Sequence, residues 1–242
     1  MKRFLFEVSF LGTNYHGWQI QKNAHSIQQE IMQAFYNLLK EDVKIIGCGR
    51  TDTGVHAEQF FFHVDLLRLN EMDKFIYQMN HVLPLDVSVK SIKEVADDFH
   101  ARFSAISRTY EYRIIQKKDP FLHDLVTFIN RDFDLEKMNQ CSNILLNYND
   151  FTSFSKVHTD VNNFNCSIKD AFWEIKDNKL VFRIQANRFL RNMVRAIVGT
   201  MLEVGRNKID VQEFSKIIES KNRSKAGASA LAKGLYLTSV QY

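Results

Sequence analysis

The hydrophobic period of this chain switches between two and about 3.6 residues, and the order of the switches limits its fold more than any other feature. Phe4, Phe6, Val8 and Phe10 alternate with Leu5, Glu7 and Ser9, which predicts a strand with one apolar face. Ser26 with Gln29 predicts a capped helix start, followed by an inward stripe of Ile27, Ile31, Ala34, Phe35 and Leu38. Strands are predicted over residues 43–48 and 59–65. A second helix is predicted after an Asn70 cap, with Phe75, Ile76, Met79 and Val82 inward and a stop near Leu83 set by Pro84. Val87, Val89 and Ile92 mark the closing strand. The order is strand, helix, strand, strand, helix, strand.

The second half repeats that order more loosely. Arg108–Gln116 alternates with Tyr110, Tyr112 and Ile114 on one face, and a short strand is predicted at Leu125–Ile129. Asp134 caps a helix through Leu135, Met138, Cys141, Ile144 and Leu145. Asp177-Asn178 is a two-residue hairpin turn between Ala171–Lys176 and Lys179–Ala186. A helix is predicted over Phe189–Val204 with Gly205 as its stop. Asp210 with Glu213 caps a short helix, and Leu235–Gln241 ends the chain as a strand. Two βαββαβ units in series predict an α+β protein with paired ferredoxin-like antiparallel sheets, one subdomain over residues 1–100 and the other over 101–242. The polar, aperiodic stretch Ser155–Ser167 predicts a long loop.

Between the second and third predicted strands stands Gly47-Cys48-Gly49-Arg50-Thr51-Asp52-Thr53-Gly54-Val55-His56-Ala57. Its three glycines allow positive φ or close approach of another backbone. A lone carboxylate on such a loop suits a site that presents one nucleophile or base to a bulky substrate. A turn closed by an Arg50–Asp52 ion pair is the alternative reading. The stretch is no phosphate-binding loop, because no Gly-Lys-Ser/Thr closes it, and the dinucleotide fingerprint fails on spacing. A second loop, Gly12–Asn23, carries Tyr15, His16 and Trp18, which either stack on bases or pack against a domain seam.

Composition removes several classes. No signal peptide is expected, since the N-terminus enters an alternating strand at once. No apolar run approaches the roughly 18 residues of a membrane span, so a cytoplasmic protein is expected. Three widely spaced cysteines make neither a disulfide framework nor a zinc pattern, and the eight histidines are scattered, so no metal is expected. No second carboxylate lies near Asp52 as a glycosidase pair requires, and no nucleophilic serine elbow occurs. The net charge of +4 is unevenly spread: residues 1–100 carry 10 Lys and Arg against 13 Asp and Glu, and residues 101–242 carry 22 against 15. Most of that excess lies in Arg188–Lys233, which suggests one face that meets a polyanion. On the predicted helix Arg191 and Arg195 stand one turn apart. One sheet end would let Arg195 meet Asp52, and a carboxylate beside a guanidinium stays ionised. The residues alone lead to a site on one Asp with Arg support, without cofactor or metal.

Six blocks resemble one known family. Gly49-Arg50-Thr51-Asp52-Thr53-Gly54-Val55-His56-Ala57 is similar to the signature loop of the TruA family of tRNA pseudouridine synthases. Tyr15-His16-Gly17-Trp18-Gln19, Asp98-Phe99-His100-Ala101-Arg102-Phe103, Asn149-Asp150-Phe151-Thr152-Ser153-Phe154, Phe189-Leu190-Arg191-Asn192-Met193-Val194-Arg195 and Gly234-Leu235-Tyr236-Leu237 follow the family order. The resemblance implies the pseudouridine synthase fold with two subdomains joined around a central cleft. It also implies isomerisation of uridine to pseudouridine at positions 38, 39 and 40 of the tRNA anticodon stem-loop, a homodimer that grips the RNA, and no cofactor. Carried onto this chain, it makes Asp52 the nucleophile, Tyr110 the residue against the target base and Arg195 the partner of Asp52. Arg50 and the basic stretch from Arg188 would serve the phosphates. Thr53 stands where the family often has Ala. Leu231 stands where Pro is common, which predicts a looser loop, and Val157–Cys166 matches only distantly. An RNA-binding module without catalysis and a nucleoside hydrolase that releases free base are the competing readings.

Overall fold

Alternation along β1 (Lys2–Phe10) buries Phe4, Phe6, Val8 and Phe10 on one face, and the strand is the centre of the first of two units. In the computed structural model, which describes residues 1–67, 69–157 and 163–242, the first unit comprises residues 1–106 with 236–242 and the second residues 107–235. The boundary expected near residue 100 stands beside a division at 106/107. The last strand, which chain order assigns to the second half, returns to the first unit.

In the first unit β3 (His56–Leu66) runs antiparallel along the whole of β1, with Phe62 opposite Phe6 and Phe60 opposite Val8. β4 (Val87–Val95) takes the other edge of β1, and β2 (Ile45–Gly47) pairs with residues 62–64 of β3. The resulting order, β4-β1-β3 with β2 on β3, is that of a ferredoxin-like sheet. Helices α1 (Ile27–Leu39) and α2 (Met72–Val82) pack Phe35 and Phe75 onto Phe6, at centroid distances of 5.3 and 6.4 Å. Phe6 and Phe62 stack at 4.9 Å. Ser26 accepts from the Gln29 N–H as the start of α1 predicts. The start of α2 differs from expectation. Its cap is Glu71, left-handed at φ 52° and without a side-chain cap bond, in place of Asn70, and Val82 is exposed.

The second unit is built on an antiparallel sheet in which β8 (Lys179–Ala186) lies between β5 (Ser107–Ile115) and β7 (Ile168–Lys176). Asp177 and Asn178, at φ 49° and 58°, make the tight turn that Asp-Asn predicts. Helices α3 (Leu135–Leu145), α4 (Met193–Gly205) and α5 (Val211–Glu219) accompany it, and Asp134 and Asp210 cap α3 and α5 as expected. Tyr112, Phe182 and Trp173 lie across neighbouring strands in its core. Two short parallel pairings complete the α+β framework. β6 (Thr127–Phe128) joins β5 in the second unit, and β9 (Leu235–Gln241) meets β3 in the first, with Tyr236 opposite His56.

Helix α4 departs from its predicted bounds at both ends. Asn192 is left-handed at φ 66°, so the helix begins at Met193, and Arg191 precedes it instead of sharing a helical face with Arg195. Gly205 is the last helical residue, and a Cβ there would stand 2.5 Å from the Met138 sulfur. Its small size serves helix packing; the left-handed residue past the end is Asn207. Of the loop predicted over 155–167, residues 158–162 lie outside the described residues. Its far flank is pinned, since the Phe151 N–H donates to the Phe164 carbonyl at 3.2 Å and the Cys166 N–H to the Asn149 carbonyl at 2.8 Å.

Phe62 meets Phe6, Phe35 and Trp18 at once. Phe62→Ala is expected to destabilise the first unit by about 3–5 kcal/mol. A urea titration followed by tryptophan fluorescence checks this, and a loss under 1 kcal/mol would deny that cluster its central place.

Candidate active site

The segment between β2 and β3 carries Asp52, and the loop after β1 fixes its path. The Gly54 N–H donates to the Tyr15 carbonyl, and the Val55 N–H closes a four-residue turn on the Asp52 carbonyl, each at 3.2 Å. Gly54, third in that turn, has φ 77°, which glycine adopts at little cost. Across from it, a Cβ at Gly17 would stand 2.2 Å from the Thr51 carbonyl oxygen, and one at Gly12 would stand 2.0 Å from that of Val55. The two backbones therefore touch with no side chain between them. The Gly12 N–H donates to Nδ1 of His56 at 3.1 Å, and the His56 ring stacks on Tyr236 at 4.6 Å. Asp52 stands half-buried at the first position of a turn braced through Gly54 and Val55.

Tyr15 and Trp18 are only 3% and 1% exposed, so neither is open to a base. Trp18 stacks on Phe60 at 4.1 Å, and the Tyr15 hydroxyl donates to Asp86 at 2.6 Å. Burial, with the Asp86 carboxylate beside it, holds the Tyr15 phenol well above its ordinary range. These aromatics are core of the first unit and the backing of the Asp52 turn. Arg50 is exposed and makes no ion pair among the described residues, so the ion-paired-turn reading is not what is found. Thr51 presents an anomaly. Its hydroxyl oxygen is buried without a hydrogen-bond partner, alone in that respect among the described side chains of the first unit, at a cost of about 1–3 kcal/mol.

Tyr110 and Arg195 belong to the second unit. Alternation along β5 buries Tyr112 and Ile114 fully, whereas Tyr110, nearer the start of the strand, is half-buried. Its ring meets Phe189 edge to face, with centroids 5.0 Å apart and planes at 83°. The Tyr112 hydroxyl donates to the Leu231 carbonyl at 2.9 Å and bonds Thr127 at 2.7 Å. Burial pushes its phenol up to about 12, against the opposing effects of the Thr127 bond and the Arg195 charge.

Arg195 lies on the first turn of α4. Its Nε donates to the Ala230 carbonyl at 2.7 Å, and its own carbonyl accepts from the Ala230 N–H at 2.9 Å. The loop bearing Ala230 reaches α4 because of Gly199, where a Cβ would stand 1.8 Å from the Ala228 carbonyl oxygen. The Gly227 N–H donates to Thr200 at 3.0 Å, and Arg223 donates to the Ala226 and Gly227 carbonyls and to Ser229. The loop that Leu231 was expected to loosen is held on both flanks. The glycine-rich loop pointed to Asp52, the charge pattern to Arg195 and the resemblance to Tyr110, but the parts played by Gly12, Gly17, Gly199 and Ala230 carried no local signal beyond the glycines themselves.

No group of three His, Cys, Asp or Glu that could hold a metal occurs among the described residues, and no helix there is long and apolar enough to cross a membrane. The three cysteines are buried and form no disulfide; burial pushes Cys141 up to about 12 and Cys166 to about 11, far from a reactive thiolate. Gly199→Ala is expected to destabilise the second unit by about 1–3 kcal/mol by lifting the 227–231 loop off α4. Calorimetry checks the loss, and an unchanged melting temperature would mean the loop is not seated on the helix.

Comparison with known proteins bears on the whole chain. A sequence profile of the tRNA pseudouridine synthase family matches residues 146–242. The tRNA pseudouridine synthase A of Bacteroides fragilis is 48% identical over 100% of this chain and 97% of its own length. That of Porphyromonas gingivalis is 46% identical over 100% and 98%, and that of a Staphylococcus aureus strain is 35% identical over 98% and 90%. With Asp52, Tyr110 and Arg195 on separately braced elements and likeness at this level from end to end, the chain belongs to the tRNA pseudouridine synthase A family.

Proposed function

We propose that Asp52 is the nucleophile of this chain and that its substrate is uridine at positions 38, 39 and 40 of the tRNA anticodon stem-loop. Family membership makes the protein an isomerase that converts uridine to pseudouridine in tRNA. The observation that carries the residue assignment is the turn itself: a half-buried Asp on a backbone braced from behind, inside the block that resembles the family signature. Preorganisation of this kind places a reacting group without reordering during the reaction.

Isomerisation breaks the bond between C1′ and N1, keeps the uracil, turns it, and forms a bond between C1′ and C5, with C5 losing a proton and N1 gaining one. Asp52 serves this either by attacking C1′ or by taking the C2′ proton to give a glycal. Both routes need an ionised carboxylate, and Arg195 is the cation proposed to hold it in place. Tyr110, whose ring meets Phe189, is proposed to offer a flat face to the loose base and, through its hydroxyl, to assist removal of the C5 proton. The target nucleotide must leave its stack to reach such a site. Arg50 and the basic run from Arg188 are proposed to meet the phosphates, which makes affinity fall steeply with salt. A cytoplasmic homodimer that grips the RNA across both subunits, without cofactor, completes the reading. A chain that sediments as a monomer with RNA bound and turned over would remove the dimer.

The test is pseudouridine formation on anticodon stem-loop RNA, with RNA affinity measured beside it. Asp52→Ala is expected to abolish product while affinity falls by less than about threefold. Residual turnover within about tenfold of wild type would end the nucleophile assignment. Tyr110→Phe is expected to slow the same reaction with binding kept, and normal turnover would reduce the ring to packing. Wild-type protein that binds the RNA and forms no pseudouridine would return the chain to the non-catalytic reading.

A further inference from the structure

We propose that Phe103, with the Arg102 guanidinium against its ring, is a platform on which the protein stacks an unpaired base of tRNA. The inference rests on tRNA as the substrate and not on the assignment of Asp52. Its starting point is the contrast between two phenylalanines of one loop in the first unit. Phe99 is half-buried, with its ring 5.0 Å from that of Tyr242, whereas Phe103 is 74% exposed. A lone exposed apolar side chain needs no explanation of its own. What marks Phe103 is the bracing of its backbone and the cation on its ring.

Two histidines build the brace. His63 lies on the face of the first unit's sheet opposite the helices, because it alternates with Phe62, whose ring meets Phe35 of α1. Its Nδ1 accepts from the Ala101 N–H at 3.1 Å, and the Ala101 carbonyl accepts from the Tyr242 hydroxyl at 2.8 Å. Arg3 donates to the Phe99 carbonyl at 2.9 Å. Nδ1 of His100 accepts from the N–H groups of both Arg102 and Phe103, at 3.1 and 3.3 Å. The His100 N–H donates to Ser104 Oγ at 3.0 Å, and the Ser104 N–H returns a bond to the His100 carbonyl at 2.8 Å. The His100 and Phe103 rings then stand 4.4 Å apart, and the Arg102 guanidinium carbon lies 5.4 Å from the Phe103 centroid.

A ring fixed in the open offers a π-face to a base with little side-chain freedom left to lose on binding. The guanidinium beside it supplies a cation for the base or for the phosphate attached to it. Bases inside a helix are already stacked on their neighbours, so the nucleotide taken here is an unpaired one. Every base has a π-face, so the platform holds it without reading its identity.

Two variants test the stack. Phe103→Leu keeps an apolar side chain and removes the π-face; Phe103→Trp enlarges that face. Dissociation constants for an unmodified tRNA transcript are measured for both at several salt concentrations, with melting temperature and sedimentation of the free protein beside them. For Phe103→Leu the expected result is a tRNA affinity lower by about five- to a hundredfold, the salt slope of the wild type and an unchanged melting temperature. Phe103→Trp is expected to bind tRNA within about threefold of wild type or more tightly, with its added indole emission quenched as tRNA binds. Wild-type affinity in Phe103→Leu overturns the proposal, as does an equal loss in both variants. A shallower salt slope in Phe103→Leu overturns it by making the ring a support for phosphate contacts. A smaller sedimenting species overturns it by assigning the ring to a contact between two copies of the chain. None of these readings depends on turnover, so failure of the Asp52 assignment and failure of the platform are separate outcomes.

Discussion

Two stretches of bare backbone, Gly12–Gly17 and Thr51–Val55, lie against each other in the first unit, and the geometry of the Asp52 turn depends on that contact. Side-chain bonds alone leave a loop free to shift with each rotamer. A carbonyl lying where a Cβ would be leaves no such freedom. The supporting loop is itself secured at both ends. The Leu11 N–H donates to the Asp86 carbonyl, and the carbonyls of Gly17 and Trp18 accept from the first N–H groups of α1. Trp18 then ties the assembly into the aromatic core through Phe60. The position of a single carboxylate is set by the hydrophobic burial of the whole first unit.

The second unit applies the same device to its cation. Gly199 admits the 226–230 backbone onto α4, and Ala230 holds Arg195 by two bonds of opposite sense. A guanidinium bound at Nε has lost much of its rotational freedom. Tyr110 meets Phe189 edge to face near the start of a strand whose next two inward residues, Tyr112 and Ile114, are fully buried. The residues proposed to react are braced by backbone contacts and by aromatic packing.

Much of this was legible in the sequence because the signals are local. Alternation in Phe4–Phe10 and in Arg108–Gln116, the Ser26, Asp134 and Asp210 caps, and the Asp177-Asn178 turn each depend on neighbours within a few residues. The failures lie where tertiary contacts overrule local preference. Asn192 is left-handed with its side chain on Ser229, a partner 37 residues away, and this moves the start of α4 past Arg191. Gly205 reads as a helix stop yet serves contact with Met138, and Tyr15 and Trp18, read as either stacking on bases or packing at a domain seam, are packed in the core of the first unit. The motif containing Asp52 could be found by resemblance. What braces it could not, because glycine spacing does not say which backbone comes close.

Amide hydrogen exchange at Gly54 and Val55, compared between the wild type and Gly17→Ala, tests the backbone contact most directly. If that contact holds the Asp52 turn, both amides exchange slowly in the wild type, near the rate set by opening of the first unit, and about a hundredfold or more faster in the variant while the β1–β3 amides keep their protection. Exchange at the rate of a solvated loop in the wild type, or equal protection in both proteins, would contradict it.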